Sequence, residues 1–161
     1  MKHITFLLLG TNQGDRKKNL SLARNAIEVS VGPIVKASSI YQTAAWGKTD
    51  QPDFLNQALE VETVLPADKV LEEILSIEKT MGRKREEKWG ERIMDIDILL
   101  YESEILNSSR LTIPHPELPN RRFALEPLAE IAGEVTHPVF KLHIKEMLER
   151  CLDPLEVYRI E

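Results

Sequence analysis

The segment Phe54-Leu-Asn-Gln-Ala-Leu-Glu-Val-Glu-Thr-Val64 decides the fold, because its side chains alternate in character along the chain. Alternate residues of a β-strand point to opposite faces of a sheet. Asn56 and the first residue of the segment therefore share one face. The pattern predicts a β-strand with one face buried in the core. The apolar residues of that face are Leu55, Leu59 and Val61.

This strand begins a β-α-β unit. Pro66 opens a helix that Gly82 ends, and apolar residues recur along it at helical spacing. The next apolar segment, Met94–Tyr101, alternates again and predicts a second strand. The residues on the apolar face of the helix are Val70, Ile74, Ile77 and Met81.

A similar unit lies earlier in the chain. His3–Leu9 predicts a buried strand, a helix follows it until Gly32-Pro33, and Ile34–Tyr41 predicts another strand. Two such halves, with their helices packed over one antiparallel sheet, make a ferredoxin-like βαββαβ sandwich of the α+β class. The apolar residues of the first helix are Leu20, Ala23 and Ile27.

The remaining sequence predicts an extension of this fold that is irregular and partly helical. After Tyr101 the chain is rich in proline, at Pro114, Pro116, Pro119 and Pro127. A late helix is expected near Leu142–Leu152, where Asp153-Pro154 stops it. We expect residues 1–161 to form a single domain.

Composition excludes several classes of function. The chain has 161 residues and a formal net charge of −5, which disfavours nucleic-acid binding through bulk positive charge. The apolar runs are too short to cross a membrane. Cys151 is the single cysteine, so an intramolecular disulfide is impossible. We expect a cytoplasmic protein with no nucleic-acid or membrane partner. We also expect a monomer.

Two carboxylates stand out on the strand Met94–Tyr101. Asp95 and Asp97 share one face, ~6–7 Å apart, and they repel by about 2 kcal/mol at an effective dielectric constant of ~20. Mg²⁺ relieves such repulsion and is commonly held by one or two carboxylates plus substrate phosphates. Taken alone, the pattern favours the polar face of a half-exposed strand, although aspartate is disfavoured within strands. The residues assigned to the opposite, apolar face are Met94, Ile96, Ile98 and Leu100.

A charged loop, Arg83-Lys-Arg-Glu-Glu-Lys-Trp-Gly-Glu-Arg92, precedes this strand. Its five basic and three acidic residues give a local charge of +2. Taken alone, it is a solvated loop whose charges pair with each other. Beside a magnesium-binding pair, such a loop can instead bind phosphate oxygens. Phosphoryl transfer depends on positioning and on charge neutralisation by Mg²⁺, arginine and lysine.

The segment Lys88-Trp-Gly-Glu-Arg-Ile-Met-Asp-Ile-Asp-Ile-Leu99 resembles the signature of the 6-hydroxymethyl-7,8-dihydropterin pyrophosphokinases of folate biosynthesis. Further motifs occur in the order expected of that family, so the resemblance covers nearly the whole chain. They are Leu9-Gly-Thr-Asn-Gln-Gly-Asp15, Tyr41-Gln-Thr43, Gln51-Pro-Asp-Phe-Leu-Asn56, Gly82-Arg83, Arg110-Leu-Thr-Ile-Pro-His-Pro116 and Arg121-Arg-Phe123.

The resemblance implies the same α+β fold and a transfer of pyrophosphate from ATP to the pterin hydroxymethyl oxygen, with release of AMP. It implies that two Mg²⁺ ions bridge the triphosphate and the aspartate pair. The catalytic residues that it implies are Arg83, Arg92, Asp95 and Asp97, the last two as metal ligands. The implied ATP-binding residues are Glu78, Arg85, Trp89, Ile98, Arg110, Leu111, Thr112, His115 and Arg121. The implied pterin-binding residues are Thr43, Ala45, Trp46, Phe54, Asn56 and Phe123.

The sequence departs from the family pattern at the pterin loop. Ala44-Ala45 stands where many members have two prolines, and Trp46 replaces a common leucine. The basic loop is one residue shorter than in some members, which leaves open whether Lys84 or Arg85 contacts phosphate. Two other functions stay open from the residues alone: another Mg²⁺-dependent phosphoryl or nucleotidyl transferase, and a non-catalytic module that binds nucleotide.

Overall fold

The computed structural model describes residues 1–44, 52–82 and 93–161 of the chain. The strands are His3–Thr11 (β1), Ile34–Ala37 (β2), Tyr41–Thr43 (β3), Phe54–Thr63 (β4), Asp95–Tyr101 (β5), Leu106–Asn107 (β6), Thr112–Ile113 (β7) and Val157–Arg159 (β8). The helices are Arg16–Ser30 (α1), Ala67–Thr80 (α2), Arg122–Ala132 (α3) and Ile144–Arg150 (α4), with a short 3-10 turn at Leu118–Asn120.

The main sheet confirms the predicted α+β fold. Its strands lie in the order β5-β1-β4-β3-β8, with β2 also paired to β4, and every pairing is antiparallel. The consecutive strands β2 and β3 pair with the same neighbour, β4, and together take the place of one strand. Counted in this way, the described elements up to Tyr101 follow the βαββαβ order. The short strands β6 and β7 form a separate hairpin. None of the helices in the described ranges is long and apolar enough to span a membrane.

Apolar side chains fill both faces of the sheet. Leu7 of β1 packs with Ile74 of α2 and the apolar face of α1, whereas Leu8 of β1 packs with Leu125 of α3 and Met147 of α4. Burial of each such side chain contributes about 1.5–3 kcal/mol. The sheet is therefore the middle of three layers, and the α3–α4 layer forms the side on which the site lies.

Strand β5 contains an irregularity that the alternation did not predict. Its register against β1 shifts between Phe6 and Leu7, because Leu99 is inserted as an extra residue. Such a β-bulge changes which face the following side chain occupies. Ile98 packs in the α1–α2 core, but Leu100 packs in the α3–α4 core. The prediction that Leu100 shares a face with Ile98 is wrong.

The predicted strand Ile34–Tyr41 is divided in two at Ser38. The Ser38 hydroxyl oxygen accepts the Ala58 amide at 2.9 Å, and the Ser38 carbonyl accepts the Gln57 side-chain amide at 2.7 Å. Side-chain groups thus form hydrogen bonds to β4 that, in a regular strand pair, backbone groups would form. The regular pairing is interrupted between Ala37 and Tyr41, and both pieces still pair with β4.

The segment expected to be irregular contains the helix α3. Pro127 lies inside it and supplies no backbone N–H. Ala124, Leu125 and Leu128 of the same helix are buried against the sheet, and this burial outweighs the missing hydrogen bond. The late helix near Leu142–Leu152 is confirmed as α4.

Candidate active site

One cavity of about 630 Å³ opens on the α3–α4 side of the sheet. Strands β1, β4 and β5 form its floor, and the beginning of α3 forms one wall. A segment between α4 and β8 forms another wall. Among the described residues, its lining consists of Leu8, Gly10, Thr43, Ala44, Phe54, Asn56, Asp95, Asp97, Glu117, Asn120, Arg121, Phe123, Asp153, Pro154 and Leu155.

The carboxylate pair lies on the floor of this cavity. Asp95 is opposite Gly10 in the β1–β5 pairing and Asp97 is opposite Leu8, and both aspartates are half-buried. Ile96, between them, points into the α1–α2 core. Within the described ranges, no group of three or more Asp, Glu, His or Cys residues forms a complete metal cage. Two carboxylates in a cavity are instead a partial site that substrate oxygens can complete.

His115 lies beside this pair. Its Nε2 is 4.0 Å from Asp97 Oδ1, and its Nδ1 accepts the Glu117 amide at 3.1 Å. Because Nδ1 is an acceptor, the neutral ring carries its proton on Nε2, the nitrogen nearest the aspartate. Burial lowers the pKa of His115; Asp97 opposes that shift and Arg121 adds to it. His115 is therefore a neutral donor near the carboxylates at physiological pH.

Two aromatic rings line the cavity on different elements. Phe54 begins β4, and Phe123 lies in the first turn of α3. The Arg121 guanidinium lies 5.6 Å from the centroid of the Phe123 ring, a cation–π distance. The arrangement places an aromatic surface and a cation together at the edge of the cavity.

The residue just before β4 is held from two sides. Arg16 Nη1 donates to the Asp53 carbonyl at 2.8 Å, and the Gln42 side-chain amide donates to Asp53 Oδ2 at 2.9 Å. Helix α1 and strand β3 thus both hold the residue before Phe54. This support holds the backbone at the start of β4, where Phe54 lines the cavity.

Asn56 offers an available acceptor inside the cavity. It is 4% exposed, and its Nδ2 donates to the Leu9 carbonyl at 3.2 Å. Its Oδ1 is buried and has no hydrogen-bond partner among the described residues. A buried polar atom without a partner is costly, so this oxygen suits a ligand N–H. Thr43 differs, because its hydroxyl donates to the Glu156 carbonyl at 3.1 Å.

The residues expected around adenosine lie apart from this cavity. Ile98 is buried in the α1–α2 core, and Glu78 Oε2 accepts the Ile96 amide at 2.8 Å. The β6–β7 hairpin lies against β5. That hairpin includes Thr112, with Arg110 exposed and Leu111 packed on the core just before it. The described lining of the cavity contains none of these five residues.

Six of the predicted site residues lie outside the described residues. They are Ala45, Trp46, Arg83, Arg85, Trp89 and Arg92. The structure brings together the aspartate pair, Asn56, the two phenylalanines, Thr43 and Arg121 around one cavity, with His115 beside Asp97.

Sequence reasoning missed part of the cavity wall. Asp153, Pro154 and Leu155 line it, although Asp153-Pro154 was interpreted only as the end of a helix. Glu117 and Asn120 also line it, between motif residues that were identified. Their closeness to His115 and Arg121 in the chain was the available signal. No comparable signal marked the C-terminal segment, because its position depends on tertiary packing.

Comparison with known proteins gives a family match. The model of the family described as 7,8-dihydro-6-hydroxymethylpterin-pyrophosphokinase (HPPK) matches residues 6–133. The 2-amino-4-hydroxy-6-hydroxymethyldihydropteridine pyrophosphokinase of Aquifex aeolicus is 41% identical over 150 residues, covering 92% of this chain and 93% of that protein. The protein of the same name from Haemophilus influenzae is 40% identical over 149 residues, with 92% of each chain covered.

A solved structure of a Plasmodium falciparum HPPK-DHPS triple mutant matches with a TM-score of 0.78. Its sequence identity is 18%, so the likeness shows the fold alone, and this chain spans only 43% of that protein. The family match and the two bacterial relatives carry the assignment. The chain belongs to the 7,8-dihydro-6-hydroxymethylpterin-pyrophosphokinase family, the ATP-dependent diphosphotransferases of folate biosynthesis.

Proposed function

We propose that this chain transfers the pyrophosphoryl group of ATP to the hydroxymethyl oxygen of 6-hydroxymethyl-7,8-dihydropterin. In this reaction the hydroxymethyl oxygen bonds to the β-phosphorus. The bond from that phosphorus to the bridging oxygen on the α-phosphate breaks, and AMP leaves. The hydroxyl proton is released, and the pterin diphosphate is the other product. The observation that carries the proposal is a single cavity containing a carboxylate pair, a buried amide and two aromatic rings.

The aspartate pair suits Mg²⁺. Asp95 and Asp97 are hard oxygen donors on one strand face, as this ion prefers. The described lining carries four acidic residues, these two with Glu117 and Asp153, against one arginine, and this excess favours a bound cation. We propose that the pair holds two Mg²⁺ ions together with the ATP triphosphate. When bound, Mg²⁺ neutralises charge on the phosphate oxygens.

The remaining residues orient the two substrates. Phe54 and Phe123 would stack on the faces of the flat pterin ring, and Asn56 Oδ1 would accept an N–H from its edge. His115 and Arg121 would donate to the triphosphate oxygens. These contacts bring the hydroxymethyl oxygen and the β-phosphorus together, which lowers the entropic part of the barrier.

Four further assignments complete the proposed sites. Thr43 and residues 45–46 contact the pterin, chiefly through their backbone groups. The basic loop contributes Arg83, Arg85 and Arg92 to the phosphates, and Trp89 to ATP. Arg110, Leu111 and Thr112 of the β6–β7 region bind adenosine together with Ile98 and Glu78. That the chain is a cytoplasmic monomer with one domain stays a prediction.

Product identity tests the proposed function. The purified chain is incubated with ATP, Mg²⁺ and 6-hydroxymethyl-7,8-dihydropterin, and the nucleotides are separated by chromatography. We expect AMP and pterin diphosphate in equal amounts. Formation of ADP or free pyrophosphate would indicate a different transferase. Absence of turnover by folded protein would indicate a module that only binds nucleotide.

A further inference from the structure

One wall of the cavity comes from the C-terminal part of the chain. Residues 153–155, called here the C-terminal wall, line the cavity together with Phe123 and Thr43. They follow α4, which ends at Arg150, and precede β8, which begins at Val157. The wall thus crosses from the α3–α4 layer to the sheet.

The backbone of this wall has little support from secondary structure. In the described part of the chain, no backbone–backbone hydrogen bond is made by residues 152–155. Leu152, just before the wall, is 94% exposed and adds no packing. The Leu155 amide donates to the Asp153 side chain at 3.0 Å, a bond within the wall itself. The position of the wall therefore depends on side chains from other elements.

Arg122 supplies most of that support. Its Nη2 donates to the Cys151 carbonyl at 3.0 Å, and its Nε donates to the Asp153 carbonyl at 3.1 Å. Its backbone amide also donates to Asp153 Oδ2 at 3.2 Å. A planar guanidinium has several donors in a fixed geometry and can hold two carbonyls at once, which a lysine ammonium does not reproduce.

Arg122 also connects the wall to helix α3, which carries another cavity residue. It is the first residue of α3, and its neighbour Phe123 lines the cavity. At the other end of the wall, the Thr43 hydroxyl donates to the Glu156 carbonyl at 3.1 Å. The wall is thus held at one end by α3 and at the other by β3. Both elements carry residues that we assign to the pterin.

We propose that Arg122 is a positioning residue that sets the affinity of the enzyme for the pterin by holding the C-terminal wall against the substrate. This inference rests on the proposed function. Arg122 does not line the cavity, so its effect is exerted through the wall. Its loss affects the pterin side of the site more than the binding of adenosine, because the residues assigned to adenosine lie apart from the cavity.

The test compares Arg122→Met with the wild-type protein, using AMP formation and amide hydrogen exchange. Methionine keeps an unbranched side chain but removes the donors. We expect the KM for the pterin to rise about tenfold, while kcat and the KM for ATP change less than about twofold. Exchange of the Leu155 amide should become faster. Arg150→Met is the matched control, because Arg150 is exposed at the end of α4, and it should match the wild type.

Each other outcome has a definite meaning. If the wild type is active and Arg122→Met leaves the KM for the pterin unchanged, the role of Arg122 is overturned and the proposed function is not. A parallel rise in both KM values, or unchanged exchange at Leu155, would also overturn it. If Arg122→Met does not fold, Arg122→Lys is measured in its place. If neither variant folds, Arg122 belongs to the folding core and the inference is wrong. A folded wild type that forms no AMP with the pterin overturns the proposed function itself.

Discussion

The side-chain nitrogen of Asn56 lies 3.2 Å from the carbonyl oxygen of Leu9, so strand β1 fixes the orientation of the amide. This contact uses the donor end of the side chain and leaves Oδ1 as the acceptor in the cavity. Gly10 makes the arrangement possible, because a Cβ atom there would lie 2.7 Å from Asn56 Nδ2. Gly10 therefore contributes to the site because its lack of a side chain leaves room for the Asn56 amide.

A double-mutant cycle tests this relationship. Gly10→Ala should displace the Asn56 amide and raise the KM for the pterin about tenfold, a change of about 1.4 kcal/mol. In an Asn56→Ala background the same glycine substitution should add little, because the atom that it meets is gone. Steady-state kinetics of the two single variants and the double variant give the coupling. Fully additive effects would show that Gly10 acts elsewhere.

Removal of a proposed metal ligand should stop the reaction. We expect Asp97→Ala to abolish AMP formation at any Mg²⁺ concentration, because the proposed site for two ions then keeps only one of its two carboxylates. Turnover is measured over a Mg²⁺ titration, with Glu104→Ala as a control on an exposed turn. Near-normal activity of Asp97→Ala would mean that the pair is only a solvated strand face.

A variant of Arg92 can show whether this residue stabilises the transition state or only binds substrate. Arg92→Ala should lower kcat at least about 100-fold, while the Kd for ATP changes less than about tenfold. Turnover and nucleotide titration are measured separately, and Arg150→Ala controls for the loss of one positive charge. Equal losses in turnover and affinity would make Arg92 a ground-state binder.

The α3–α4 core gives a prediction about the free energy of unfolding. Leu125 of α3 is fully buried, and Leu125→Ala should lower the free energy of unfolding by about 2–5 kcal/mol. Leu152 is 94% exposed, and Leu152→Ala should change it by less than about 0.5 kcal/mol. Urea unfolding measures both variants. Similar values for the two would contradict the packing of α3 on the sheet.

His137 should make stability fall in acid. Burial lowers its pKa below the ordinary value of 6.5, and its Nδ1 accepts the Val139 and Phe140 amides at 3.2 Å each. Above pH 6.5 the ring is neutral in both folded and unfolded chains, so its full contribution is present. As the pH falls below that value, the unfolded chain binds the proton first and stability is lost.

The free energy of unfolding in urea, measured at about pH 7.5 and about pH 5.5, tests this dependence. The loss on acidification should be smaller for His137→Asn, which keeps an acceptor that does not titrate. An equal loss in both proteins would assign the acid sensitivity to other groups.

Local pattern was sufficient for the βαββαβ framework, because each strand and helix carries its own periodicity. It failed where one residue changes the geometry. The bulge at Leu99 and the break at Ser38 both depend on pairing with another strand, which no local period reveals. Helix α3 was missed because Pro127 suggests irregular structure, whereas burial of the apolar face of the helix decides the outcome.

The candidate site shows the same division. Asp95 and Asp97 were identifiable from alternation within one strand, and the family resemblance supplied Phe123 and Arg121. The C-terminal wall was not identifiable, because residues 153–155 reach the cavity through tertiary contacts, those of Arg122 at one end and the Thr43–Glu156 bond at the other. A residue that supports a segment far away in the chain, as Arg122 does, produces no recognisable pattern in the local sequence.

Glu78 shows how a strand can constrain which substitutions a helix tolerates. Its carboxylate accepts the amide of Ile96, the residue between the two aspartates, at 2.8 Å. A polar position on an amphipathic helix usually tolerates many residues, but Glu78 is 4% exposed and bonded to a backbone group. Only a side chain of similar reach with an acceptor can replace it without moving the aspartates. The substitutions tolerated at position 78 are therefore limited by the spacing of the two aspartates that flank Ile96.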